Sequence, residues 1–295
     1  VKEGLEFRRQ GKVSRVEIQN TASNYARNYL KRKLELDLNL FVDLSQPLTA
    51  FQINSLQNLR DFPTSWKRPT GEFSFGGDVF DILKKKDVLV QHPYDSFEQS
   101  VIKFLETACK DTKVITIKMT QYRTGNSAEN DVITSLLATA ARLGKQVAVQ
   151  IELRARFDEE KNIKNAQYLE DAGVHVTYGD PQYKAHVKMI LVVREEEENL
   201  VSYMHFGTGN YNFVTSQSYE DIGLFTSNES LGEDCGLIFN SLTAYANREF
   251  SNNILVAPEK LQDSIIDLIK EQKKLKDEGY IFLKLNNITD PFIIE

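Results

Sequence analysis

Cysteine is scarce in this 295-residue chain: Cys109 and Cys235 are the two, and their spacing fits no zinc-ligand pattern. Both fall in stretches of helical periodicity, so buried thiols are expected rather than a disulfide. Positive charge is not in excess either. The 36 Lys and Arg against 42 Asp and Glu leave a formal net charge of −6, which argues against a general nucleic-acid binder, because phosphate-backbone affinity needs a basic surface. No apolar run approaches the ~18 residues of a membrane span, and the first residues lack the charged-then-apolar pattern of a secretory signal. The expected location is the cytoplasm, with peripheral attachment to a membrane left open. What is present is 41% hydrophobic and 26% charged, an ordinary composition for a chain that buries a core.

Residues 1–73 carry a short strand signal at 15–18 and helical patterns through Tyr25, Tyr29 and Leu30 and through Phe51, Ile53 and Leu56. The cluster Arg27, Lys31, Arg32 and Lys33 reads as a solvated helix face. This region is expected to be the last part of a preceding α+β domain. Residues 62–77, rich in Pro, Gly, Ser and Thr, read as a connection.

Residues 74–252 alternate strand and helix patterns. A capping box at 95–98 opens a helix to about Lys110, a strand follows over 113–120, and a helix over 129–143 stops at Gly144. A strand over 146–153, a helix capped by Asp158 and a short strand over 174–178 come next. Strands over 185–193 and 200–206 form a hairpin across an acidic turn, then a strand over 222–226 and a helix over 231–247 complete the unit. The fold class expected is α/β, a mixed and mostly parallel sheet flanked by helices. Residues 253–295 start the same pattern again: 255–258 echo 89–93, and the strand-like 281–286 echo 115–120. This reads as an internal duplication whose second copy is cut short. The chain opens on Val1 and stops at Glu295 just after a helix-start signal, so it is expected to be a fragment.

The chemistry concentrates in Ala185-His186-Val187-Lys188, read as a strand, and in His205-Phe206-Gly207-Thr208-Gly209-Asn210 after the next one. A neutral imidazole attacks phosphorus near pH 7 to give a phosphoramidate. Lys188, two residues along, is expected on the same strand face, where it can neutralise a non-bridging oxygen. The glycine turn leaves N–H groups uncovered, and Asn210 supplies an amide to orient the imidazole or hold an oxygen. Arg123 and Arg156 each follow a strand, at the carboxyl edge where α/β sheets bind ligands, and arginine forks match phosphate. Each residue also has a structural reading. His92, beside a proline, and His175, within a strand, read as structural histidines, Arg156 can simply pair with the acids that follow it, and Arg123 can be a solvated loop residue. His205 stands between the structural and the functional reading.

His-x-Lys followed by Gly-Thr-Gly-Asn resembles the half-site of the phospholipase D superfamily, whose members carry two such motifs in tandem repeats. Val193 stands where that superfamily has an aspartate, and the stretch from His186 to Asn210 is longer than its usual spacing. With the segments at 92–97, 122–124, 155–160, 172–176 and 207–212, the chain is similar to polyphosphate kinase of the phosphohistidine type. The resemblance implies catalytic roles for His186, the phosphorylated histidine, Lys188, His205 and Asn210. It places Arg123 and Arg156 at a magnesium–phosphate site, near the metal but not as direct ligands, and makes Tyr219 a nucleotide contact.

The activity it implies is reversible transfer of the ATP γ-phosphate to inorganic polyphosphate, with Mg²⁺ as cofactor and ATP, ADP and polyphosphate as partners, in a homodimer or higher assembly of the full-length protein. Two alternatives stay open: a phosphodiesterase or nuclease that resolves the same intermediate with water, and an inactive fragment that only binds polyanions. With half of a two-motif site absent, little or no kinase activity is expected from residues 1–295 alone.

Overall fold

The computed structural model describes residues 12–45, 73–122, 131–153, 159–179, 184–197, 199–244 and 253–295. The chain divides into two compact units, Val1–Thr70 and Gly71–Glu295. In the first, β1 (Val16–Gln19) and β2 (Phe41–Leu44) pair in parallel, with α1 (Asn24–Lys33) between them in the chain. Ser23 caps α1 by accepting from the Ala26 amide at 3.2 Å. The basic cluster divides in two: Arg27 bonds the Gln19 carbonyl and the Asp43 carboxylate, while Lys31, Arg32 and Lys33 sit in the last turn, where cations suit the free carbonyls. The helical pattern through Phe51, Ile53 and Leu56 lies outside the described residues.

The second unit runs α2 (Val79–Leu83), β3 (Val88–His92), α3 (Lys103–Lys110), β4 (Val114–Gln121), α4 (Val132–Arg142), β5 (Gln146–Ile151), α5 (Glu159–Asp171), β6 (His175–Tyr178), β7 (Lys188–Glu196), β8 (Asn199–Gly207), α6 (Phe213–Ser216), β9 (Asp221–Thr226), α7 (Glu229–Ala244), α8 (Leu261–Lys274) and α9 (Pro291–Ile294). A π-helical turn, Glu98–Ile102, leads into α3. Just before it the Ser96 hydroxyl accepts from the Gln99 amide at 3.2 Å, while the Asp95 carboxylate, expected to open the helix, accepts from the Gln91 amide at 2.7 Å instead. Gly144 ends α4 at φ 88°, the left-handed turn that a helix terminus requires.

The sheet order is β3-β9-β8-β7-β4-β5-β6. The ladders β4–β5 and β5–β6 are parallel, and the other four are antiparallel because the β7–β8 hairpin and β9 enter its middle. Central strands buried on both faces read as continuous apolar runs, and β7 shows why. Ile190 and Val192 join Phe80, Phe104, Leu137 and Phe225 in the core on one face, while Met189 and Leu191 join Cys235 and Phe239 of α7 on the other. Both cysteines are buried thiols.

Residues 281–286, expected to repeat β4, form no strand and are exposed. A strand exists only through its ladder partners, and none pairs with them among the described residues.

These pairings bring one edge together. The last residues of β3, β4, β5, β6 and β8 and the first of β7 and β9 all lie there, through His92 opposite Asp221, Gln121 opposite Ile151, and Lys188 opposite Gly207.

Candidate active site

His186 is exposed and lies just before β7, not on a strand as its sequence suggested. The cause is Thr120 of β4, whose hydroxyl donates to the Val187 carbonyl at 2.8 Å and accepts from the Met189 amide at 3.0 Å. A side chain thus takes the bonds a strand backbone would have made, and residues 184–187 leave the sheet.

Lys188 is on β7 and 4% exposed. Its ammonium turns back to donate to the His186 carbonyl at 2.5 Å and stands 2.8 Å from His186 Nδ1 and 3.1 Å from Nε2. Because an ammonium has only donors, the nitrogen it bonds keeps its lone pair. The expected pairing of histidine and lysine is therefore made, by a turned-back side chain rather than by a shared strand face.

Tyr122, one residue past β4, sets its ring edge-on to His186, centroids 4.7 Å apart. The ammoniums of Lys184 and Lys188 lie 5.2 and 5.1 Å from the same ring, within cation–π range. The segment is also held from below. Buried Glu152 accepts from the Ala185 amide at 2.9 Å, and buried Asn162 donates to the carbonyls of Tyr122 and Glu152 at 3.1 and 3.0 Å.

The glycine turn is stapled to β9. Thr208 donates to Asp221 Oδ1 at 2.9 Å and accepts from the Ile222 amide at 3.0 Å, while its own amide donates to the Ile222 carbonyl. A Cβ on Gly209 would stand 2.4 Å from Asp221 Oδ2, so only glycine fits. Asn210 is half-buried on this turn, and Tyr219 is exposed two residues before β9, at the same edge.

His205 lies deeper, 2% exposed beneath the turn, with Nδ1 2.9 Å from the Tyr211 hydroxyl. Burial, with a smaller push from nearby His92, lowers its pKa to about 3, so it is a neutral imidazole at physiological pH. The edge therefore exposes His186 and Tyr219, holds Asn210 half-buried, and keeps Lys188 and His205 buried, Lys188 with its ammonium against the His186 ring. Arg123 and Arg156 lie outside the described residues, although the chain enters both segments at this edge, from Tyr122 and from Leu153. Thr120 and Glu152 carried no signal of a role in the sequence, and Tyr211 carried only its place in the 207–212 segment. Tyr122 carried one, an aromatic between a strand end and Arg123.

Residues 78–248 match the family model "Polyphosphate kinase C-terminal domain 1". The chain belongs to the polyphosphate kinase family. It is 35% identical over 302 residues to a polyphosphate kinase of Lactiplantibacillus plantarum, covering 100% of this chain and 42% of that protein. It is 40% identical over 304 residues to one of Mycolicibacterium gilvum, covering 99% and 41%. The crystal structure of polyphosphate kinase from Porphyromonas gingivalis superposes with a TM-score of 0.73 at 24% identity, covering 99% of this chain and 50% of that one, which shows a shared fold. The chain thus spans about two fifths of the length of these curated relatives.

No group of three or more His, Cys, Asp or Glu side chains converges as a metal cage among the described residues. Nor, among them, is any helix long and apolar enough to cross a membrane. The edge instead offers cations and backbone amides, a donor set for anionic oxygens.

Proposed function

We propose that the full-length protein moves the γ-phosphate of ATP to the end of a polyphosphate chain, reversibly, through a phosphohistidine at His186. The observation that carries this reading is the Lys188 ammonium 2.8 Å from the exposed His186 ring, at an edge shared with the glycine turn. The ammonium exchanges its bond to the ring for one to a γ-phosphate oxygen, which frees the nitrogen lone pair as charge arrives. That nitrogen attacks phosphorus, the bond to the bridging β–γ oxygen breaks, and ADP leaves with the electron pair. In the second half a terminal polyphosphate oxygen attacks the same phosphorus, the P–N bond breaks, and the imidazole recovers its lone pair. Lys188, Arg123 and Arg156 balance charge on the transferred group.

Asn210 and the turn amides hold an equatorial oxygen, and Tyr219 offers its exposed ring to the nucleotide. His205, neutral and buried, serves by holding the turn from below. With no carboxylate cage among the described residues, Mg²⁺ fits as an ion carried by the triphosphate, and it supplies charge neutralisation there.

Residues 74–252 would form the first catalytic domain of a cytoplasmic enzyme, after the end of an α+β domain at 1–73. Residues 253–295 would begin a second catalytic domain, and residues 1–295 alone would turn over little or not at all. The intact enzyme would work as a homodimer or higher assembly. Incubating the full-length protein with γ-labelled ATP should give a base-stable, acid-labile label that His186→Ala abolishes. A label that survives that substitution contradicts the assignment.

A further inference from the structure

Two histidines meet beneath the glycine turn, and the site chemistry above uses only one of them. His92 ends β3 and His205 lies on β8, with β9 between them in the sheet. They are 5% and 2% exposed. Both line one small cavity with Asn210, Tyr211, Gly223 and Phe97. Three buried polar atoms of its lining have no hydrogen-bond partner among the described residues: His92 Nε2, His205 Nε2 and Asn210 Oδ1. Such atoms carry an uncompensated desolvation penalty unless something satisfies them.

The surrounding bonds fix what each atom can do. His92 Nδ1 is 2.8 Å from the Asp95 carbonyl, which only accepts, so Nδ1 carries the proton and Nε2 is an acceptor. Buried Tyr211 has His205 Nδ1, at 2.9 Å, as its hydroxyl's partner. With the hydroxyl donating to Nδ1 the His205 proton sits on Nε2, so the one buried donor still unpaired faces the cavity, where a water can accept from it; the opposite tautomer would leave the Tyr211 O–H as that donor. Asn210 Oδ1 is an acceptor. The cavity therefore presents one donor and two acceptors. The fit around His205 is close, because a Cβ on Gly223 would stand 2.6 Å from its Nε2.

We propose that one buried water joins His92, His205 and Asn210, which makes His92 a positioning residue for the glycine turn. The water accepts from His205 Nε2–H and donates to His92 Nε2 and Asn210 Oδ1, using both its hydrogens. The polar chain then runs without a gap from the Asp95 carbonyl through both rings to Tyr211. With its oxygen held inward, the Asn210 amide turns its NH₂ outward, towards the edge that carries Lys188. This role rests on the reading of that edge as a phosphoryl site, whereas the water itself does not. A cation in the same place would require His205 Nε2 to lose its proton, and the Tyr211 hydroxyl opposes that.

Two-bond nitrogen–proton spectra of the ¹⁵N-histidine-labelled 295-residue chain test it directly, since the chain holds only 4 histidines. The expected result is a protonated Nδ1 on His92 and a protonated Nε2 on His205. A crystal structure should place one ordered water within about 3 Å of all three atoms. The reverse tautomer on either ring, a dry cavity, or a shift of both rings on adding zinc or magnesium overturns the proposal.

Inorganic tripolyphosphate then reads the positioning role. His92→Phe should weaken its binding to the chain by roughly tenfold, the scale of one lost buried hydrogen bond. Unchanged binding by His92→Phe, where Lys188→Gln does weaken it, removes that role. Binding that neither substitution alters counts against the phosphoryl reading, whatever the tautomers show.

Discussion

The Thr120 hydroxyl accepts a hydrogen bond from the Met189 amide at 3.0 Å, so a side chain of β4 ends the ladder that β7 would otherwise continue. The same oxygen donates to the Val187 carbonyl at 2.8 Å. These two bonds decide where His186 leaves the sheet. Thr120→Val keeps the shape and strands both backbone groups, so denaturant unfolding should show a loss of about 1–3 kcal/mol. Thr120→Ser should recover most of it.

Lys188 is the cation in contact with the proposed nucleophile. Lys188→Gln in the full-length enzyme should slow formation of the acid-labile phosphoprotein by roughly 10²–10³-fold, the usual effect of removing one preorganised charge donor. Rapid-quench labelling reads this rate. A rate within a factor of about three of the parent would remove Lys188 from the chemistry.

Tyr122 contributes through its ring, which His186 meets edge-on and near which two ammoniums lie. Tyr122→Phe should therefore label at close to the parent rate. Tyr122→Leu should lose about tenfold, as an aromatic pair and a cation–π contact worth ~0.5–1.5 kcal/mol disappear. Equal rates for the two variants would count against the platform.

At the far end of β7, Glu196 accepts from Lys84 at 2.5 Å and from the Tyr203 hydroxyl at 2.7 Å and pairs with Arg194, which also bonds Asp111 at 2.9 Å. Burial alone would raise the Glu196 pKa, but these three partners lower it to about 2. A carboxyl depressed on folding stabilises the protein above its unfolded pKa, and that contribution is lost as pH falls through the folded value. Stability should therefore fall between about pH 4.5 and pH 2 in the parent. Glu196→Gln should be less stable at pH 7 and flatter across that window, which melting curves at successive pH values would show.

How much of this was legible in sequence depends on which residues decide it. The α/β alternation and the hairpin were readable because β7 is apolar on both faces and Gly144 marks a helix end. The place where His186 leaves the strand was not, since it is set by Thr120, remote in sequence, and no local pattern shows that insertion. His92 read as a structural histidine beside a proline, because nothing near it reveals that β3 joins the sheet through β9 and so reaches His205. The echo at 281–286 kept a strand's composition without a strand's partners. Arg123 and Arg156 remain expectations from sequence, outside the described residues.

The claim on which the rest depends is that His186 carries the phosphoryl group. Full-length enzyme incubated with ATP, digested under alkaline conditions and mapped by mass spectrometry, tests it most directly. A phosphoryl mass is expected on the peptide containing His186, lost on mild acid treatment. A phosphopeptide containing His205 or His175 instead, or none from an enzyme that still extends polyphosphate, would contradict it.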